Sequence, residues 1–192
     1  MTPQRLVLAS ESPRRLDLLA QIGVTPDLVE AAEIDETPLP NETPRLLANR
    51  LACAKAAKIA VGHPHAYVLA ADTVVAVGRR ILPKAATAQE VHACLTLLSG
   101  RAHKVLTAMA VQAPGGRIAS RLVETRLHFK RLTSAEIEAY IQGGEGVGKA
   151  GGYGIQGHAG AFVMAIEGSY PAVVGLPLYE TLNLLTGLGY RP

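Results

Sequence analysis

The stretch Leu6-Val7-Leu8-Ala9-Ser10-Glu11-Ser12-Pro13-Arg14-Arg15, followed by Leu16, Leu19 and Ile22 at helical spacing, sets a short apolar strand directly against the start of a helix. Ser12 suits the N-cap, and Pro13 suits the first helical position, where its missing N–H would be unpaired anyway. That first turn is the positive end of the helix dipole and favours acidic residues. Arg14 and Arg15 stand there instead. The arrangement is unfavourable alone and becomes favourable when an anion, commonly phosphate, sits at the helix start. The competing reading bends both guanidinium groups into solvent. The helix is expected over 12–22, with Gly23 ending it.

Outward from this junction the pattern alternates strands and helices. A strand fragment and an acidic, Pro-rich loop cover 26–44. A second helix is expected over 43–61, with Leu47, Leu51, Ala54 and Ile59 inward and Arg50, Lys55 and Lys58 on other faces. Tyr67–Ala71 reads as a buried strand, and Val74–Val77 with Ile81-Leu82 as a hairpin around Gly78-Arg79. A helix at 87–98, strands at 103–111 and 117–130, and a helix opened by the capping box Thr133-Ser134-Ala135-Glu136 follow. The strand at 117–130 alternates apolar and polar residues, so one face is wet. A glycine-rich loop at 143–160, a strand at 161–167 and a helix from near Pro177 complete the pattern. The expected fold class is α/β, a mixed β-sheet flanked by helices.

Composition narrows the function. The 192 residues are 48% hydrophobic and 18% charged, with a net charge of +3 and no Trp, so a sizeable core is available while an extended basic, aromatic-studded surface is not. A few local cations for a small anionic ligand fit better than nucleic acid. Cys53 and Cys94 lack metal-ligand spacing and read as reduced core residues of a cytoplasmic protein. No signal peptide, lipidation motif or membrane-length apolar run is apparent.

Asp72 follows directly on the apolar run Tyr67–Ala71. Asp is depleted in strands, and a carboxylate entering a core must be paired or hold a metal. The end of a strand is also where open α/β sheets place ligands. The alternative is a structural Asp capping a turn or pairing with Arg. Gly152-Tyr153-Gly154-Ile155-Gln156-Gly157 has the GxGxxG spacing, but a strand-like run follows it, which excludes the dinucleotide reading. No GxxxxGK[ST] or GxSxG occurs. His63, His65, His92, His103, His128 and His158 are scattered and read as structural or surface residues.

Taken in order, Ser10-x-Ser12-Pro13-Arg14-Arg15, Ala71-Asp72-Thr73-Val74-Val75, Leu98-Ser99-Gly100, Lys149–Gly157, Gly168-Ser169-Tyr170 and Val174–Leu178 closely resemble the Maf family of nucleoside triphosphate pyrophosphatases over essentially the whole chain. The resemblance implies one domain over 1–192, with an inosine-triphosphatase-like fold of two lobes and a central substrate cleft. It implies hydrolysis of a nucleoside triphosphate to monophosphate and pyrophosphate with Mg²⁺ or Mn²⁺, in a homodimer, with no nucleic acid or membrane partner. Arg14, Thr73 and Gln156 match the branch acting on dTTP and UTP, rather than the one acting on 7-methyl-GTP. By the same likeness Asp72 is the proton acceptor and, with Glu36, a metal ligand. Ser10, Ser12, Arg14, Arg15, Lys55 and Lys84 bind phosphate. Glu33 competes with Glu36 for the acidic role. Gly148 stands where the resemblance implies Asp, so that either metal affinity is lower here or Glu145 completes the metal shell, and Pro83-Lys84-Ala85 replaces a Lys-Pro pair. A non-catalytic nucleotide-binding regulator of septum formation, and a house-cleaning enzyme for modified pyrimidine nucleotides, are the alternatives.

Overall fold

The computed structural model describes residues 4–191. Its elements are β1 (Leu6–Ala9), α1 (Pro13–Gln21), β2 (Leu28–Val29), α2 (Pro44–Ala60), β3 (Tyr67–Val77), β4 (Arg80–Leu82), α3 (Ala88–Leu98), β5 (Ala102–Gln112), β6 (Ile118–Phe129), α4 (Ser134–Gln142), a 3-10 turn (His158–Phe162), β7 (Val163–Glu167), α5 (Tyr170–Val174) and α6 (Leu178–Gly187). The sheet order is β2-β1-β3-β5-β6-β7, with β4 also on β3. β1 runs parallel to β2 and β3, and every other pairing is antiparallel. The sheet is therefore mixed, as the broken strand–helix rhythm suggests.

Helix α2 packs Leu47, Leu51, Ala52, Ala56 and Ile59 on one sheet face, against Val7, Val68, Ala70, Ala108 and Ala110. The other face carries α1, α3, α4, α5 and α6, through Leu19, Leu95, Ile137, Val174 and Leu185. Small side chains on the strands under α2 let that single helix lie close, and burying both faces supplies most of the fold's driving force. Thr43, Thr87 and Thr133 cap α2, α3 and α4, the last in the full capping box with Glu136.

Two expectations about the sheet are corrected. β3 does not stop before Asp72 but runs unbroken to Val77. Strand β5 pairs with it from Val68 to Ala76, so an Asp in the run forfeits no ladder bond. Along the opposite edge of β3, β1 ends at the pair Ala9↔Ala70, and β4 begins only at Val75↔Leu82. Asp72 thus lies in a gap of the sheet instead of at the end of its own strand. The strand expected from 161 begins at Val163, because His158–Phe162 coils first into the 3-10 turn.

Candidate active site

The gap beside Asp72 opens into a cleft of about 720 Å³. Ser12, Arg14, Arg15, Glu36, Lys55, Asp72, Thr73, Lys84 and Gln156 all line it. These come from the start of α1, the acidic loop, α2, β3, the segment after β4 and the glycine-rich loop. Ser10 is not on the lining. It is buried behind it, where its Oγ accepts from the Ser12 N–H at 3.1 Å and from the Arg15 guanidinium at 2.9 Å. Ser12 sits at the N-cap of α1 without a side-chain cap. Arg15 is fixed a second time by donating through Nε to the Gly175 carbonyl at 2.9 Å.

Lys55 does not lie on an outer face of α2 as the helical pattern suggests. It is buried on the same side as Leu51 and Ile59, four positions before and after it. Its Nζ meets Asp72 Oδ1 and Glu36 Oε1, each at 2.5 Å. Glu36, and not Glu33, therefore turns into the cleft; Glu33 is bound through its carbonyl, by Lys58. Burial pushes the Asp72 carboxyl above the usual carboxylate range, against the opposing charges of Lys55 and Arg15. Burial acts the same way on Glu36, but the hydrogen bond and charge of Lys55, with Lys84 and Arg15, outweigh it and hold that carboxyl low. Two neighbouring carboxyls are thereby pushed in opposite directions, Asp72 up and Glu36 down.

Lys84 is placed by a small ladder. Its backbone bridges Ala150, while Ala85 N donates to the Lys149 carbonyl at 3.1 Å and Gly148 N to the Ala85 carbonyl at 2.7 Å. Gly148 takes φ +76°, a left-handed conformation that glycine adopts without strain. The glycine-rich loop also brings Lys149 and Glu145 to the lining. The sequence presented Lys149 only as part of a motif. Thr73 Oγ1 lies 3.0 Å from Thr107 Oγ1, and Thr107 donates its own hydrogen to the Ala172 carbonyl at 2.7 Å. Thr73 must then donate to Thr107, which leaves it only lone pairs to offer a ligand.

Within 4.0 Å, among the described residues, no carboxylate pairs with Arg14, Arg15, Lys84 or Lys149. A cleft with this many unneutralised cations is built for an anion. Residues 5–188 match the family described as Maf-like protein. The chain belongs to the Maf family. It is 67% identical to a dTTP/UTP pyrophosphatase of Caulobacter vibrioides over 97% of both chains. It is 59% identical to one of Maricaulis maris, covering 97% of this chain and 89% of that protein. Among solved structures, a HAM1 protein from Coxiella burnetii is similar at 16% identity and TM-score 0.48, over 96% of this chain and 99% of that one. In this Maf chain, no helix among the described residues is long and apolar enough to cross a membrane.

Proposed function

We propose that this chain is a nucleoside triphosphate pyrophosphatase that hydrolyses dTTP and UTP to the monophosphate and pyrophosphate. The observation that carries the reading is the pairing, in one cleft, of a buried proton acceptor with cations lacking a carboxylate partner. Arg14, Arg15, Lys84 and Ser12 would bind the triphosphate, with Ser10 holding Arg15 and Ser12 in place. Asp72 accepts the proton of the attacking water; Lys55 orients it. The cations neutralise charge as pyrophosphate departs. Thr73, able only to accept, suits the N3–H that uracil and thymine carry and cytosine lacks. Gln156 offers both donor and acceptor to the same base edge, and Arg14 completes the specificity set.

A divalent cation, Mg²⁺ or Mn²⁺, fits the donor set. Asp72 and Glu36 each give one oxygen to Lys55, and the second oxygen of each has no hydrogen-bond donor among the described residues, so two carboxylates plus substrate phosphates suit Mg²⁺. Among the described residues no three His, Cys, Asp or Glu gather for a metal, so phosphate oxygens and water would supply the remaining ligands. When bound, the ion adds charge neutralisation at the phosphates. We further propose one Maf-like domain with the cleft between two lobes, a cytoplasmic location and a homodimer. The exposed Met164, Ile166 and Tyr170 on and beside the outer strand β7 support a second copy covering that edge. A solution mass of a single 20.2 kDa chain at micromolar concentration would remove the dimer.

The test is pyrophosphate release from dTTP, UTP, CTP, GTP and 7-methyl-GTP with Mg²⁺ or Mn²⁺. Release from dTTP and UTP above the others, lost in Asp72→Asn, is the expected result. Equal release from variant and wild type removes Asp72 as the proton acceptor. Nucleotide binding with no release from any triphosphate removes the enzyme.

A further inference from the structure

We infer that Lys149 is a further phosphate-binding residue of this cleft, kept available by Gly154 and by the way Glu145 is turned; the inference rests on the triphosphate reading above. The backbone at Lys149 is fixed on both sides. Its carbonyl accepts from Ala85 N at 3.1 Å and from Gly152 N at 3.0 Å, which ties it to the segment carrying Lys84. The stem then lies across Gly154, where a Cβ would stand 2.8 Å from Lys149 Cε and 3.0 Å from Cδ. Its Nζ donates to the Glu145 carbonyl, a neutral acceptor.

The nearest candidate counter-charge is committed elsewhere. Glu145 Oε2 accepts the His158 N–H at 2.8 Å and occupies the space over Gly157, where a Cβ would lie 2.1 Å away. No carboxylate among the described residues is within 4.0 Å of the Lys149 ammonium. An ammonium has three hydrogens, and here one carbonyl serves it. A phosphate oxygen in the cleft would supply both the missing acceptor and the missing charge. The competing role is a strut that merely ties residue 149 back to 145 across the loop.

Two substitutions separate these roles. Lys149→Met keeps the stem and removes the charge. Gly154→Ala keeps the charge and pushes the flexible end of the lysine aside; Gly154 does not require a left-handed backbone, so Ala is tolerated there. The expected result is a KM for UTP raised about tenfold or more in both, with kcat within a few-fold. Binding of inorganic pyrophosphate should weaken in parallel, with Tm little changed. Lys149→Arg should restore part of the affinity. Wild-type UTP hydrolysis with unchanged KM and pyrophosphate affinity in Lys149→Met overturns the assignment and leaves the pyrophosphatase reading standing. A lowered Tm with unchanged KM identifies the strut and likewise overturns it. A wild type that hydrolyses no triphosphate removes the wider reading, and this assignment with it.

Discussion

On the side of the cleft formed by β3 and α2, the Lys55 ammonium meets two carboxylates at 2.5 Å. Toward α1 and the glycine-rich loop, Arg14, Lys84 and Lys149 meet none within 4.0 Å among the described residues. The first wall neutralises itself and can keep Asp72 and Lys55 in place without substrate, since a buried charge persists only when paired. The second wall repels itself and is balanced when a polyanion arrives. The proposed function takes its chemistry from the first wall and its capture of substrate from the second.

The largest expected effect falls on the self-neutralised wall. Lys55→Met keeps the buried stem but leaves Asp72 without its partner in a site where burial already disfavours its charge. Loss of stability of about 3 kcal/mol at neutral pH is expected, read as a lower denaturation midpoint, together with loss of turnover. Unchanged stability would mean that Asp72 is held by Arg15 and cleft water instead.

An effect confined to acid pH is expected from a residue behind the capture wall. His103 is 2% exposed; its Nε2 lies 2.7 Å from the Tyr153 hydroxyl and its Nδ1 has no partner among the described residues. Tyr153 lines the cleft between Gly152 and Gly154, so this pair helps fix the glycine-rich loop. Burial, and to a lesser extent the charge of His128, push the His103 pKa down to about 4. The unfolded chain, with an ordinary histidine near 6.5, then binds more protons than the folded one between those two values. Stability from this group is full above pH 6.5 and falls as pH drops toward 4, by roughly 3 kcal/mol in all. His103→Phe should flatten that acid slope, measured as denaturation midpoint against pH. A slope equal to wild type would place the acid sensitivity elsewhere.

What the sequence made legible is what local chemistry decides. The β1–α1 junction, the hairpin at Gly78 and the capping box at Thr133 rest on residues a few positions apart, and all form. Asp72 and Lys55 depend on non-local facts. The apolar run before Asp72 reads as a complete strand because nothing local shows that β5 would carry it to Val77. Lys55 reads as surface because a helical pattern treats every Lys as outward, while its position between Leu51 and Ile59 already marked the buried face. Ser10 and Ser12 are alike in sequence, yet one supports and one lines the cleft. Helix α5, only five residues long, carries no readable period. Lys149 and Glu145 sit in a loop without periodicity; a motif and a resemblance pointed to them, and the glycines at 154 and 157 that make room for their side chains are the physical signal.

The division of labour between the walls is tested most directly by measuring UTP affinity without added metal, and turnover with Mg²⁺, on Asp72→Asn and Arg14→Ala side by side. Asp72→Asn is expected to bind UTP within a few-fold of wild type while turnover falls about 10³-fold. Arg14→Ala is expected to bind about tenfold more weakly while keeping most of its turnover at saturating UTP. The reverse pattern, with Asp72→Asn losing affinity and Arg14→Ala losing turnover, would contradict the account.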